Sequence, residues 1–269
     1  MIFLQHLIPQ HLLSNLMHRF ARIEIRWLKN TFLRWFVKKY GVNLAEAQRQ
    51  KIEDYKHIND FFTRSLKPSA RVLEDADIVS PVDGVVSQAG AIHATQILQA
   101  KGHHYSVQQL LADDSAKQFD DGQFATIYLS PKDYHRIHMP FDGKLVSMKY
   151  IPGDLFSVNQ KTAQKVDGLF ARNERLICSF DTDFGEVAVI LVGAIMVGSM
   201  EVVWQGKITP PYTKSIKEFN YRSKDIRLVK GEEMGRFNMG STVIIVLPKG
   251  APKMALSEFN PLSMGQAII

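Results

Sequence analysis

Residues 187–197 read VAVILVGAIMV. The run is 11 residues long, whereas a helix that crosses a bilayer needs about 20 apolar residues. It therefore reads as a buried strand or strand pair. The same texture recurs on either side of it. Short β-branched runs stand at Ile78–Val79, Gly84–Val86, Ala125–Leu129, Lys144–Ile151 and Thr242–Leu247, with Gly143, Gly153, Gly185, Gly206 and Gly240 between or beside them. No regular helical segments separate these runs, which argues against a parallel sheet built from βαβ units. From about residue 78 the chain predicts a mainly antiparallel β core, sandwich-like or barrel-like, with minor helices such as Ser106–Ala112. There is no internal repeat and no low-complexity tract.

Composition sets the outer limits. The chain has 269 residues, 45% of them hydrophobic and 22% charged, which suits a packed core and rules out wholesale disorder or a collagen-like chain. The single cysteine, Cys178, excludes an internal disulfide framework and any multi-cysteine metal site. The net charge of +6 is concentrated at one end. Arg19, Arg22, Arg26, Lys29, Arg34, Lys38 and Lys39 face one anion, Glu24, within residues 1–40, so the rest of the chain balances to zero. A basic terminus points to a polyanion, either nucleic acid or an anionic membrane.

The neighbours of those cations favour the membrane. The opening MIFLQHLIPQHLL is interrupted by polar residues and Pro9, and it has neither the early positive charge nor the small-residue cleavage site of a signal peptide. At about 100° per residue, Leu12, Leu13, Leu16, Phe20, Ile23 and Trp27 share one arc, and Arg19, Arg22, Arg26 and Lys29 the adjoining one. Trp35, Phe36 and Tyr40 extend the aromatic supply, and Gly41 is a natural stop. An apolar face with a basic border and tryptophan fits the headgroup boundary; packing on the protein's own core is the competing reading. A second helix is predicted from Asn43, where N-L-A-E forms a capping-box pattern, and a short helix or turn near Asn59–Arg64.

Three motifs carry potential chemistry. In Ser80-Pro81-Val82-Asp83-Gly84 the acid is either catalytic or an ordinary turn aspartate. In Tyr134-His135-Arg136-Ile137-His138-Met139-Pro140 the two histidines suit metal binding, acid–base work or no role at all; no H-E-x-x-H pattern supports a metal. In Gly235-Arg236-Phe237-Asn238-Met239-Gly240-Ser241-Thr242 a glycine leaves the carbonyl before Ser241 uncrowded. A serine there attacks its own peptide bond if a base takes its proton and the oxyanion is stabilised. A histidine and an aspartate would supply the base and its orienter. A lipid hydrolase would use the same three residue types, but its G-x-S-x-G elbow is absent, since Val243 stands two residues after Ser241. A lipid-binding protein without catalysis and a small-molecule decarboxylase are the other readings.

Taken together and in this order, PVDG, YHRIHMP and GRFNMGST resemble the bacterial, membrane-associated phosphatidylserine decarboxylase family. Gln96–Tyr105, Tyr150–Asn159, Leu169–Arg175 and Gly206–Pro211 share the likeness, which runs from about residue 40 to the C-terminus. Where the family commonly has leucine before Gly-Ser-Thr, this chain has Met239, of similar volume. The resemblance implies an α+β fold, with an N-terminal amphipathic helical region over 1–66 and a β-rich catalytic domain over 67–269. It implies self-cleavage at Gly240–Ser241 into chains 1–240 and 241–269, held together as a heterodimer with room for a higher oligomer. Ser241 would become a covalent pyruvoyl (pyruvate) cofactor. In that carry-over His138 is the base for Ser241, Asp83 holds His138, and His135 is the proton donor or positioning group in decarboxylation. The pyruvoyl ketone would form a Schiff base with the substrate amine and act as the electron sink that no side chain provides. Leu155, Phe156 and Ser157 are candidates to line the lipid site. The implied partners are phosphatidylserine and an anionic membrane surface, with no nucleic acid and no metal. The implied location is peripheral, on the cytoplasmic side of the cell membrane.

Overall fold

The computed structural model describes residues 9–100, 102–195, 199–238 and 241–269. The helical segments are α1 (Gln10–Phe20), α2 (Arg26–Tyr40), α3 (Ile58–Phe62), α4 (Val107–Leu111), α5 (Gln160–Ala163) and α6 (Leu169–Arg172). Strands begin with β1 (Gly84–Ala91), β2 (Gln96–Ala100), β3 (His103–Ser106), β4 (Gln123–Tyr128), β5 (Arg136–His138), β6 (Gly143–Ile151) and β7 (Arg175–Thr182). They continue with β8 (Gly185–Val192), β9 (Met200–Val202), β10 (Gly206–Lys207), β11 (Lys217–Asn220), β12 (Arg227–Leu228), β13 (Glu233–Phe237), β14 (Thr242–Leu247) and β15 (Pro261–Leu262).

Among the described residues the main sheet is ordered β11-β6-β7-β8-β14-β4-β1-β15, with β12 beside β6; a smaller sheet runs β10-β9-β13-β5. All the strand pairs are antiparallel, so the α+β, mainly antiparallel architecture is as expected. Every residue of β14 is buried, which explains why TVIIVL is a continuous apolar run rather than an alternating one. Its odd-numbered side chains Val243 and Ile245 join Leu176, Cys178, Leu191, Ile137 and Met200 in one core. Its even-numbered Ile244 and Val246 join Ile177, Ile190, Val192, Leu110, Phe156 and Phe170 in a second. The period of two along the strand thus divides one run between two cores. Each such side chain contributes roughly 1.5–3 kcal/mol on burial.

A third core lies wholly within the helical region. Ala21, Leu33, Phe36, Val42, Tyr55, Ile58, Phe61 and Phe62 close on one another there. Polar contacts then fasten this region to the β core: Arg136 Nε donates to the Thr63 carbonyl at 3.0 Å and its Nη2 to Ser65 Oγ at 2.7 Å.

Several local expectations change in detail. The amphipathic arc spanning Leu12 to Trp27 is split by a turn at residues 21–25 into α1 and α2. Gly41 does stop α2, in a left-handed conformation with φ +67° and its N–H on the Val37 carbonyl. Lys29 leaves the basic face: it is buried and donates to the carbonyls of Ile52 and Tyr55 at 2.9 and 2.6 Å. Asn43 caps as expected, accepting from the Ala45 N–H and donating to Glu46, but only a single 3-10 turn, Leu44–Glu46, follows. Ile78–Val79 makes one isolated bridge rather than a strand. The run 187–197 leaves the sheet after Val192, and its residues 196 and 197 lie outside the described residues.

Candidate active site

Ser241 stands at the start of β14, which lies between β4 and β8 near the middle of the main sheet. Its carbonyl accepts the Leu129 N–H at 2.9 Å. Thr242, the next residue, is in register with Tyr128 on one side and Val192 on the other. Ser241 is 1% exposed, and its Oγ has no hydrogen-bond partner among the described residues. A buried hydroxyl left in that state costs roughly 1–3 kcal/mol, so its retention points to use. Gly240 and Met239 lie outside the described residues.

The loop after β4 carries His135 and leads into β5, which ends on His138. Ser130 donates to the Asp133 carboxylate through both its N–H and Oγ, each at 2.7 Å, which folds the turn. The Asp133 carbonyl then receives His135 Nδ1 at 2.7 Å. A carbonyl only accepts, so Nδ1 carries the proton and Nε2 is the bare nitrogen. That Nε2 is buried and without a partner, and burial, reinforced by the Arg64 charge, lowers the His135 pKa to about 4. His135 is therefore a neutral imidazole near pH 7.

β5 pairs with β13, setting His138 opposite Glu233. His138 Nδ1 donates to the Gly231 carbonyl at 2.7 Å, and Nε2 accepts the Tyr134 hydroxyl at 3.0 Å. Burial lowers its pKa as well. The PVDG segment is tied directly to this strand, because the His138 N–H donates to the Pro81 carbonyl at 2.9 Å. Gly84 is required there: a Cβ would come within 2.5 Å of the Tyr128 carbonyl oxygen.

Asp83 is bound elsewhere. Its Oδ1 accepts Arg71 Nε and the Met264 N–H, both at 2.8 Å, and its Oδ2 pairs with Arg71 Nη2. Arg71 also reaches Glu46 at 3.0 Å. The ring nitrogens of His138 thus hydrogen-bond to Gly231 and Tyr134, and the Asp83 charge acts on both histidines through space, favouring their protonated forms. Arg71 and Tyr134 were not singled out from the sequence. Tyr134 sits inside the quoted motif, whereas Arg71 lies in no motif.

Glu174, Gly193 and Ser241 flank the adjoining ends of β7, β8 and β14, where Arg175 and Thr242 are both in register with Val192. The Gly193 N–H donates to the Glu174 carbonyl at 2.8 Å. Burial pushes the Glu174 carboxyl up to about 8, with Thr209 and Tyr150 as its polar neighbours. This acid stands within the quoted Leu169–Arg175 stretch, but no spacing marked it. Leu155 borders the same end, since a Cβ at Gly193 would lie 3.3 Å from Leu155 Cδ2. Leu155 and Phe156 are buried, and Phe156 belongs to the second core. Ser157 Oγ accepts Asn159 Nδ2 at 2.8 Å. Among the described residues no cluster of three or more His, Cys, Asp or Glu side chains suits a metal ion.

A family model described as phosphatidylserine decarboxylase matches residues 58–269, and a second, described as PSD, matches 1–41. Relatives named phosphatidylserine decarboxylase proenzyme are similar along nearly the whole chain. That of Methylobacillus flagellatus is 52% identical over 98% of this chain and 96% of its own length. That of Alcanivorax borkumensis is 54% identical over 94% and 89%. That of Saccharophagus degradans is 50% identical over 99% and 96%.

Proposed function

The chain belongs to the phosphatidylserine decarboxylase family, and from that premise we propose how it activates itself and which residues serve each step. It is a proenzyme that processes itself and then decarboxylates phosphatidylserine to phosphatidylethanolamine. The observation that carries the proposal is the buried, unpartnered Ser241 Oγ at the edge of β14, beside the segment after β4 that carries the neutral imidazoles of His135, in the loop, and His138, on β5.

His138 takes the Ser241 proton, and Oγ adds to the Gly240 carbonyl carbon. The C–N bond of that peptide breaks, its nitrogen gains a proton, and residues 240 and 241 are joined by an ester. Loss of the Ser241 Cα proton expels the Gly240 carboxylate. One water then converts the remaining dehydroalanine to a pyruvoyl group and ammonia. Tyr134 must release His138 Nε2 for the first step, or carry the proton onward itself; burial raises its own pKa to about 12 and keeps it neutral. Asp83, locked by Arg71, favours the imidazolium that forms at His138.

A serine at 241 with a buried Oγ suits conversion to this group, which supplies the electron sink for loss of CO₂. The protein's part in decarboxylation falls to His135. With Nδ1 pinned as a donor, its bare Nε2 takes the proton that the substrate ammonium must lose and returns it to the carbon that has lost CO₂. Leu155, Phe156 and Ser157 border the lipid chains or headgroup. The short chain would supply β14, paired on both sides, so the two pieces stay together as a heterodimer after the cut.

The helical region is read as the peripheral membrane contact, on the cytoplasmic face. Leu12, Leu16, Ile23, Ile25, Trp27 and Trp35 are exposed, Trp27 to 72%, and Arg19, Arg26, Lys38 and Lys39 are exposed among or beside them. No helix of the described residues is long and apolar enough to cross a membrane. Intact-mass analysis tests the central claim. Two pieces ending at 240 and starting at 241, the shorter with a blocked N-terminus, are expected. An active protein with an uncut chain and an ordinary serine would overturn it.

A further inference from the structure

Helix α1 and the segment that begins with β10 face each other across an open cavity of about 520 Å³. His11, Asn15, His18 and Arg19 line it from α1, and Lys207 and Tyr212 from the opposite wall. No aspartate or glutamate is among the described residues that line it. The four α1 residues fall within an arc of about 100°. Leu12 and Leu16, 58% and 54% exposed, stand on the adjoining arc.

Contacts behind the cavity hold its walls. His11 Nε2 donates to the Gly153 carbonyl at 3.1 Å, and the His11 ring meets Tyr212 edge-on with centroids 5.0 Å apart. One residue earlier, Gln10 Oε1 accepts the Leu155 N–H at 2.6 Å. Arg22 Nη1 donates to His18 Nδ1 at 2.8 Å and to the His18 carbonyl at 3.2 Å. A guanidinium only donates, so His18 Nδ1 is the bare nitrogen and Nε2 carries the proton. Burial, with the charges of Arg22 and Lys207, lowers the His18 pKa to about 4, which leaves it a neutral donor near pH 7. Neither Arg19 nor Lys207 forms an ion pair among the described residues. Glu201, opposite Lys207 in the β9–β10 register, reaches Arg236 at 4.0 Å instead.

The cavity thus offers two unpaired cations and further N–H and O–H donors from two facing walls. A tetrahedral phosphate presents oxygens to both walls at once, whereas a planar carboxylate suits a single guanidinium. If Leu12 and Leu16 enter the acyl boundary, the adjoining arc lies at the level of the headgroup phosphates. We propose that this cavity is a binding site for the phosphate of an anionic glycerophospholipid, closed by α1 on one side and by Lys207 of the β core on the other. This rests on the reading of the helical region as the membrane contact. The site reads the phosphate and not the serine, so it takes lipids that are not substrates. Because α1 also holds Gly153 and Leu155, a lipid bound there steadies the loop that carries the candidate lining residues.

The test uses sedimentation with phosphatidylcholine vesicles that carry either phosphatidylglycerol or oleate, matched in surface potential. Wild type should bind the phosphatidylglycerol vesicles several-fold more tightly. R19Q and K207Q should each lower that binding about fivefold and erase the preference over oleate. In the combined variant the second replacement should cost less than the first, since both cations grip one anion. R19K and K207R, which keep the charge, should keep part of the preference. K38Q/K39Q, the same change in charge elsewhere on the helical region, should weaken binding to both vesicles alike and leave the preference intact. Circular dichroism checks that every variant is folded. Equal binding of wild type to the two vesicles would overturn the proposal in favour of diffuse attraction, as would an undiminished preference in R19Q and K207Q. Glycerol 3-phosphate at fixed ionic strength addresses the soluble source. A rise in melting temperature of wild type but not of R19Q, without any vesicle preference, would assign the cavity to a free phosphate ester and overturn the lipid. If wild type sediments with neither vesicle, the membrane reading itself falls.

Discussion

Ser241, His138 and His135 each answer to a separate measurement. Ser241→Ala lacks the nucleophile and should remain a single uncut, inactive chain on a denaturing gel. His138→Ala should stall at the same stage; efficient cutting would remove His138 from the base role. His135→Ala should cut yet release CO₂ from phosphatidylserine vesicles at least a hundredfold more slowly, the low end for loss of a general acid–base group. The titrating groups add a test of stability. Glu174 is held near 8 by burial, so the folded state keeps a proton that the unfolded chain gives up above about 4.5. Its contribution is present below pH 4.5 and lost as pH rises through about 8. Glu174→Gln should therefore gain thermal stability relative to wild type between pH 5 and pH 9, and a gap independent of pH would refute the assignment. For His135, depressed to about 4, the sign is opposite: stability is present above about 6.5 and lost as pH falls through 4. The motifs displayed the serine and both histidines in the sequence. Arg64, Arg71 and Glu174 did not stand out, because their roles come from neighbours such as Asp133, Asp83 and Thr209 that are distant along the chain.

At the scale of elements, local chemistry and tertiary context divided the outcome. Ser106–Ala112 folds as read. Ser106 and Gln109 exchange capping bonds, and Ala112 ends the turn in a left-handed conformation. Thr242–Leu247 is the strand its β-branched run required. The helix expected from Asn43 stops after one turn, since Ala47 bridges to Leu66 and draws the chain into extended pairing. Lys29 looked like a membrane cation by its angle on the helix wheel, yet two carbonyls of the neighbouring loop claim its ammonium. Such carbonyls are invisible to periodicity. β14 gives a direct test of the two-chain arrangement. Ile244→Ala removes a fully buried side chain from the second core and should cost about 2–5 kcal/mol. Chemical denaturation of the cut protein should show that loss, with earlier release of the short chain. An unchanged midpoint would mean that β14 does not hold the pieces together.

Across the whole molecule, the helical region meets the β core where Arg64 and Arg136 cross between them, so the proposed membrane contact and the proposed active site share a boundary. Replacing Trp27 and Trp35 together with Ala should weaken sedimentation with anionic vesicles about tenfold or more, the area of two exposed tryptophans being large. The circular dichroism of the protein without vesicles should stay unchanged. Binding unaffected by the double replacement would move the membrane contact elsewhere.

The sequence by itself determined the antiparallel β core and the basic amphipathic start, and it set Ser241 and the two histidines in distinct motifs, because period, charge and glycine placement act over a few residues. Only the tertiary structure decided which cations face solvent, which nitrogen of each histidine is bare, and that Asp83 is locked to Arg71. Those outcomes depend on burial and on partners brought together across the chain, where desolvation outweighs local preference.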